Sequence, residues 1–311
     1  PRTIDNYFED KYPGIQNGNV KVVEISSNNK KFKIWTKCIG NNPKTRVLLL
    51  SGGPGCSHEY FECFENFFPK EGIEFIYYDQ LGTGFSDKPE DTVQWKSERF
   101  VEELEQVRQA LELNSDNFYL LGHSWGGILA MEYAVKYSKN IKGLIISNMM
   151  ASCPKYGAYA DQVLSKKLDP KILDSIRAIE SRGDFSNPGY MDLLMPHFYN
   201  QFICRIPLKD WPEPMKRSFD KLKQSLYVTM QGPSEFGIGG NLIDWDRSAD
   251  LKNYEMPVLV IAAKYDTMDP SYMEWMSKEI KRSSFVLCSN GSHMCMWDDQ
   301  ETYFKGLLEF M

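Results

Sequence analysis

The chain has 311 residues, 42% of them apolar and 25% charged, with a formal net charge of −6 at pH 7. That length and composition suit a folded protein with a substantial core and exclude a disordered one. The acidic balance offers no broad cationic face for a phosphate backbone, so nucleic acid is not an expected partner.

Pro1 opens the chain with no charged and apolar leader. This reads as a cytoplasmic protein, or as a periplasmic one whose leader has been removed. Seven cysteines, at 38, 56, 63, 153, 204, 288 and 295, form no C-x-x-C pair, and an odd number cannot all pair within one chain. Free thiols in a reducing compartment are expected.

In chain order, "VKVVEIS" (20–26) and "FKIWTKC" (32–38) flank an Asn/Lys-rich turn and predict an antiparallel hairpin. The lysines of "NNKKFK" read as a solvated turn. "RVLLL" (46–50), "EFIYY" (74–78), "FYLLG" (118–122) and "GLIIS" (143–147) are short, nearly continuous apolar runs. Such runs are expected of strands buried on both faces of a parallel sheet. Between them, Phe100, Leu104, Val107 and Leu111 recur at steps of four, three and four, one apolar stripe of a helix. Residues 117–135 come nearest to a membrane span, but His123, Glu132 and three glycines interrupt them. Strand, turn and helix is the better parse, and no membrane association is expected.

Residues 151–241 abandon the alternation and become helical in tendency, with proline breaks and aromatics. Strand-like runs resume at "PVLVIAA" (257–263) and "SFVLC" (284–288), and a final amphipathic helix follows from about Asp298. The expected fold is α/β: a mostly parallel sheet with an N-terminal antiparallel hairpin. Residues 1–150 and 242–311 form the main domain, and residues 151–241 are a helical insertion into it.

Gly122-His123-Ser124-Trp125-Gly126 matches G-x-S-x-G between a predicted strand and a predicted helix. A serine on that sharp turn projects its hydroxyl, while the helix N-terminus turns free N–H groups toward developing negative charge. A serine hydroxyl needs a base, itself oriented by a carboxylate. The four histidines are 58, 123, 197 and 293. His58 precedes the serine, His123 lies in the turn and His197 falls in the insertion, which leaves His293, just after the last predicted strand. For the acid, "AAKYDTMDP" offers Asp266 and Asp269. Asp266 lies nearer the strand end and is preferred, while Asp269 before Pro270 suits a helix N-cap. "LLLSGGPGCSH" (48–58) supplies backbone N–H groups near a ligand, with Gly53 and the N–H of Trp125 as the expected oxyanion pair. No Cys/His spacing suggests a metal, and no cofactor is expected.

Taken together, "SGGPGCSHEYF", "YYDQLGTGFSDKP", "LLGHSWGGILAMEYA", "MQGPSEFGIGGNLIDWD", "AAKYDTMDP" and "GSHMCMWDDQETYF" resemble the proline iminopeptidase family of α/β-hydrolases over nearly the whole chain and in family order. The resemblance implies a serine exopeptidase that removes an N-terminal residue, often proline, from short peptides with a free N-terminus. It implies the triad Ser124, Asp266 and His293, the oxyanion pair Gly53 and Trp125, and a helical cap formed by the insertion. It also implies that Glu235, in the family's "GPxEF" motif, holds the substrate's α-amino group.

Two positions depart from the family pattern. Ser51 stands where relatives carry the histidine of HGGPG. Thr267 stands where many carry a second glutamate after the catalytic aspartate, so the amine is expected to be held by Glu235 alone or with help from elsewhere, Asp269 being one candidate substitute, and strictness for proline is less firmly implied. Cap aromatics Phe198, Tyr199, Phe202, Trp211 and Tyr227 are candidates for a pyrrolidine pocket, one or two of them against substrate and the rest in the cap's own core. The alternatives are an amino-acid amidase or esterase of the same fold, or a non-catalytic receptor on a hydrolase scaffold. Oligomeric state is not legible in the sequence.

Overall fold

The computed structural model describes residues 14–15 and 19–311. Among them, nine strands form one sheet: β1 (Gly14–Ile15), β2 (Val20–Ser27), β3 (Lys30–Ile39), β4 (Arg46–Leu50), β5 (Glu74–Tyr78), β6 (Phe118–His123), β7 (Gly143–Ser147), β8 (Val258–Ala263) and β9 (Ser283–Cys288). Their order is β1-β2-β3-β5-β4-β6-β7-β8-β9. Pairing is antiparallel through β3–β5 and parallel from there to β9.

The hairpin forms where the sequence predicts it. Ser27 pairs with Lys30, and Asn28 and Asn29 make the turn at φ 50° and 61°. Two consecutive left-handed residues match the right-handed twist of the flanking strands, and asparagine tolerates them. The turn lysines are solvated, with Lys30 and Lys31 in surface ion pairs with Asp91 and Glu24.

Helices α1 (Ser97–Ala110) and α2 (Trp125–Tyr137) lie between early strands. Six more fall between β7 and β8: α3 (Cys153–Tyr159), α4 (Pro170–Ser181), α5 (Pro188–Leu194), α6 (Asn200–Phe202), α7 (Glu213–Asp220) and α8 (Gln224–Met230). Helices α9 (Pro270–Glu279), α10 (Cys295–Asp298) and α11 (Gln300–Phe310) follow. Every residue of β5, β6, β7 and β8 is buried, which is why these strands read as unbroken apolar runs. Side chains alternate between two cores. Leu48, Leu120, Ile146 and Val260 join α1 and α2 on one face, while Leu49, Leu121, Ile145 and Ile261 join α11 on the other.

The inserted helices connect to the sheet through a narrow stem. Ser152 bridges Asp246, Cys153 N–H donates to Trp245 O at 2.8 Å, and Arg247 N–H donates to Ala151 O at 2.8 Å. The chain therefore leaves and re-enters the sheet side by side. All seven cysteines are free thiols. Among the described residues no helix is long and apolar enough to cross a membrane.

Candidate active site

Strand β6 ends at His123 and α2 begins at Trp125, so Ser124 alone makes the turn. Its φ of 56° and ψ of −127° lie where an L-residue is strained. The flanking glycines make the turn possible. A Cβ on Gly122 would sit 2.0 Å from Gly126 O, and one on Gly126 would sit 2.0 Å from Leu50 O. The strained residue is pinned on both sides: Ser124 N–H donates to Ser147 O at 3.1 Å, and Gly127 N–H to Ser124 O at 2.7 Å.

Asp266 follows β8 and is buried; His293 follows β9 and is 4% exposed. His293 Nδ1 lies 2.7 Å from Asp266 Oδ1. A carboxylate there fixes the tautomer, with the proton on Nδ1 and Nε2 left as an acceptor. Asp266 also accepts from Asn148 Nδ2 at 2.7 Å and from Met268 N–H at 3.1 Å, and the Thr267 hydroxyl donates to it at 3.2 Å. Burial alone would lower the His293 pKa, but the Asp266 charge and hydrogen bond, with Glu235 and Asp298 further off, hold it above the usual imidazole value.

The loop carrying His293 also rests on the insertion. His293 N–H donates to Phe202 O at 3.0 Å and Met294 N–H to Ile203 O at 2.8 Å. Asp298 accepts from Ser292 N–H at 3.0 Å and from Arg205 N–H at 2.9 Å, and bonds the Ser292 hydroxyl.

Gly53 sits at φ 104°, a conformation open to glycine, in the loop after β4. Around it, Gly52 N–H donates to Tyr60 Oη at 2.7 Å and Cys56 N–H to Gly52 O at 3.2 Å. Among the described residues nothing accepts the N–H of Gly53 or of Trp125. Ser51, in place of the expected histidine, braces this loop: its hydroxyl donates to Cys56 O at 2.8 Å. Gln80 links loop to elbow, donating to Ser51 O at 2.9 Å and accepting from Trp125 Nε1 at 2.8 Å.

A cavity of about 690 Å³ brings Ser124, His293 and Gly53 together with Tyr199, Tyr227 and Glu235 of the insertion. That size suits a small organic ligand. Tyr227 Oη donates to Glu235 Oε1 at 2.6 Å, and Glu235 N–H donates to Tyr199 Oη at 3.2 Å. Burial raises the Glu235 carboxyl above the usual range, partly offset by the His293 charge and the Tyr227 hydroxyl. Tyr199 reaches the cavity from an irregular turn over Met195–Tyr199, where Pro196 interrupts the helical ladder and Asn200 N–H reaches back to Met195 O.

Of the five candidate cap aromatics, Tyr199 and Tyr227 line the cavity, while Phe198, Phe202 and Trp211 are buried in the apolar core that the inserted helices share with one face of the sheet. Asp269 does not line it. Its carboxylate caps α9, accepting from Ser271 N–H at 2.9 Å, so it is no substitute amine partner. Thr267 is fully buried against Asp266, away from the cavity wall. His58 is held by Asp79, with Nδ1 2.9 Å from Oδ1, and stacks on Trp35. His197 does not reach the cavity.

Sequence reasoning missed Asn148, the second ligand of the Asp266 carboxylate. It stands at φ 52° directly after an all-buried strand, a conformation asparagine tolerates; an asparagine closing an apolar run was the signal in the sequence. It also missed Tyr60, whose hydroxyl accepts the N–H of Gly52.

Known proteins resemble this chain in sequence and fold. Residues 45–300 match the family model of the alpha/beta hydrolase fold. The proline iminopeptidase of Flavobacterium johnsoniae is 54% identical over 281 residues, covering 90% of this chain and 94% of that protein. That of Chitinophaga pinensis is 53% identical, covering 93% and 97%. Among solved structures, the Mycobacterium smegmatis proline iminopeptidase superposes with a TM-score of 0.81 at 26% identity, covering 93% and 97% of the two chains. The chain belongs to the α/β-hydrolases and, within them, to the proline iminopeptidase family.

Proposed function

We propose that the protein is a serine aminopeptidase that releases an N-terminal residue, preferably proline, from short peptides. The observation that carries this reading is a carboxylate, Glu235, in the same cavity as Ser124 and His293. A neutral-substrate esterase has no use for an acid there, whereas a free α-amine gains a charge-assisted partner. Glu235 and its Tyr227 partner lie on the insertion, residues 151–241, which acts as the cap over the site.

In the mechanism that follows, Glu235 holds the substrate amine and Ser124 Oγ attacks the carbonyl of the first residue. His293 Nε2 takes the hydroxyl proton as the Oγ–C bond forms, and Asp266 stabilises the resulting imidazolium through Nδ1–H. The N–H groups of Gly53 and Trp125 receive the oxyanion. His293 then gives its proton to the leaving amine as the peptide bond breaks, and water, deprotonated by the same imidazole, hydrolyses the acyl-enzyme. Ser124, Asp266 and His293 act on this reading as one unit.

The test is kcat/KM on proline p-nitroanilide, N-acetylproline p-nitroanilide and alanine p-nitroanilide. Free proline cleaved at least tenfold faster than alanine, with no turnover of the acetylated form, is the expected result. Equal cleavage of the acetylated substrate overturns the amine anchor and leaves a general amidase.

A further inference from the structure

The triad accounts for Ser124 and not for the histidine beside it. His123 is 2% exposed, sits on the last position of β6, and makes two hydrogen bonds whose direction can be assigned. Its Nε2 lies 2.8 Å from His293 O, a group that only accepts, so Nε2 carries the proton. Its Nδ1 is then an acceptor, 3.1 Å from Tyr60 Oη, which donates to it. Tyr60 Oη in turn accepts from Gly52 N–H at 2.7 Å. Every donor and acceptor in this line is used once in one direction: Gly52 N–H to Tyr60, Tyr60 O–H to His123, His123 N–H to the carbonyl of His293.

Burial, with the charge of His293 adding to it, holds His123 far below the usual imidazole value, so the neutral form that this pattern requires is the one present. Burial likewise keeps Tyr60 a phenol. The line joins residues 52, 60, 123 and 293, from three stretches of the chain that all border the cavity, and its two ends are the backbone of the oxyanion loop and the backbone of the base.

We propose that Tyr60 and His123 are positioning residues, a buried hydrogen-bonded strut that fixes the spacing between the Gly52–Gly53 loop and His293. This rests on the roles given above to Gly53 and His293. The physical need is plain. The oxyanion donors and the base must serve one tetrahedral carbon at once, and they hang on loops after different strands. A loop that drifts by about 1 Å costs on the order of 100-fold in rate. The ring plane of His123 sets that spacing more stiffly than two loops packed only by apolar contacts.

Three variants test it. Tyr60→Phe removes one oxygen atom from the middle of the strut. His123→Asn keeps a polar group near the Nδ1 position and loses the reach to His293. His123→Gln carries an amide N–H to about where Nε2 lay. Each is measured for kcat and KM on proline p-nitroanilide, for the bimolecular rate of inactivation by a fluorophosphonate, and for its melting temperature. Y60F and H123N are each expected to lower kcat and the inactivation rate by about 10- to 100-fold, with KM within about twofold of wild type. The double variant loses little more than the worse single one, because the strut is already broken. H123Q recovers most of the loss seen in H123N.

Activity and inactivation within twofold of wild type in folded Y60F and H123N would overturn the proposal. So would losses that appear in KM and add in the double variant, the pattern of general loosening. Should H123N fail to fold, Y60F decides alone. If the wild-type protein reacts with the fluorophosphonate but does not turn over the proline substrate, the peptidase reading fails, and the inactivation rates still judge the strut.

Discussion

The sheet and the inserted helices solve different problems with different materials. Strands β5 to β8 are buried along their full length, their residues alternate between two cores, and the elbow between β6 and α2 leaves no room for a single added carbon. The insertion is made of helices of 3 to 12 residues, with irregular turns at Ala160–Leu164 and Met195–Tyr199. It leaves Phe185, Met191 and Val228 exposed where they line the cavity. The strained serine sits on the part that can impose strain, and the groups that would meet the substrate's side chains sit on the part that can be remodelled.

Four experiments test that contrast. The largest effect belongs to the sheet side: Ser124→Ala is expected to lose on the order of 10⁶ in kcat/KM. Ser124→Gly should be as inactive yet more stable than the alanine variant by roughly 1 kcal/mol, because glycine accepts the positive φ without strain. Equal melting temperatures for the two would mean that the sheet imposes no strain.

The acid next to the base comes second. Asp266→Asn is expected to lower kcat by roughly 10⁴. It should also shift the pH profile. Neutral His293 is the active form and its pKa is raised, so the acid limb of wild-type kcat/KM lies above about 6.5. Removing the carboxylate charge lowers that pKa and moves the limb down. The same shift has a stability counterpart of opposite use. The raised pKa contributes stability fully present below about pH 6.5 and lost as pH rises through the folded value, so turnover is gained where that contribution disappears.

On the insertion side, Glu235→Gln is expected to cost about 10- to 100-fold in kcat/KM for free-amine substrates. Fluorophosphonate labelling should stay within about threefold of wild type. A parallel fall in labelling would place Glu235 with the chemistry of the sheet and blur the division. The smallest effect concerns the leaving peptide. Among the described residues lining the cavity, Asp220 and Glu235 are acidic and none is a lysine or arginine. Proline amides with leucine in the second position should therefore be cleaved about two- to fivefold faster than those with aspartate. Asp220→Lys should erase the difference.

The same division explains what could be read from residues alone. The buried strands announce themselves as apolar runs, and the predicted hairpin, parallel strands and closing helix fall within a few residues of their observed places. Ser124 had its glycines, and His293 was reached by elimination among four histidines. What stayed hidden is the polar wiring. Tyr60 and His123 are 63 positions apart, Asn148 and Asp266 118 apart, and no periodicity links either pair. Tyr60 reads as one more aromatic in "HEYFECFEN", and only the folded chain shows its hydroxyl taking the N–H of Gly52. Within the insertion, aromatic content marked Tyr199 and Tyr227 no more clearly than Phe198 or Trp211, because wall and core draw on the same residue types.

The backbone bonds from His293 and Met294 to Phe202 and Ile203 bear on how such an enzyme could be rebuilt. Residues 202 and 203 belong to the segment a protein engineer would exchange to alter selectivity, yet they form the ledge on which the base rests. A transplanted segment would carry its own ledge, and with it a new height for the imidazole. A chimera designed only for its pocket would inherit a rate penalty or a gift from two backbone carbonyl groups. Keeping 200–206 from the recipient, and exchanging the chain on either side, is the graft that leaves the base where it is.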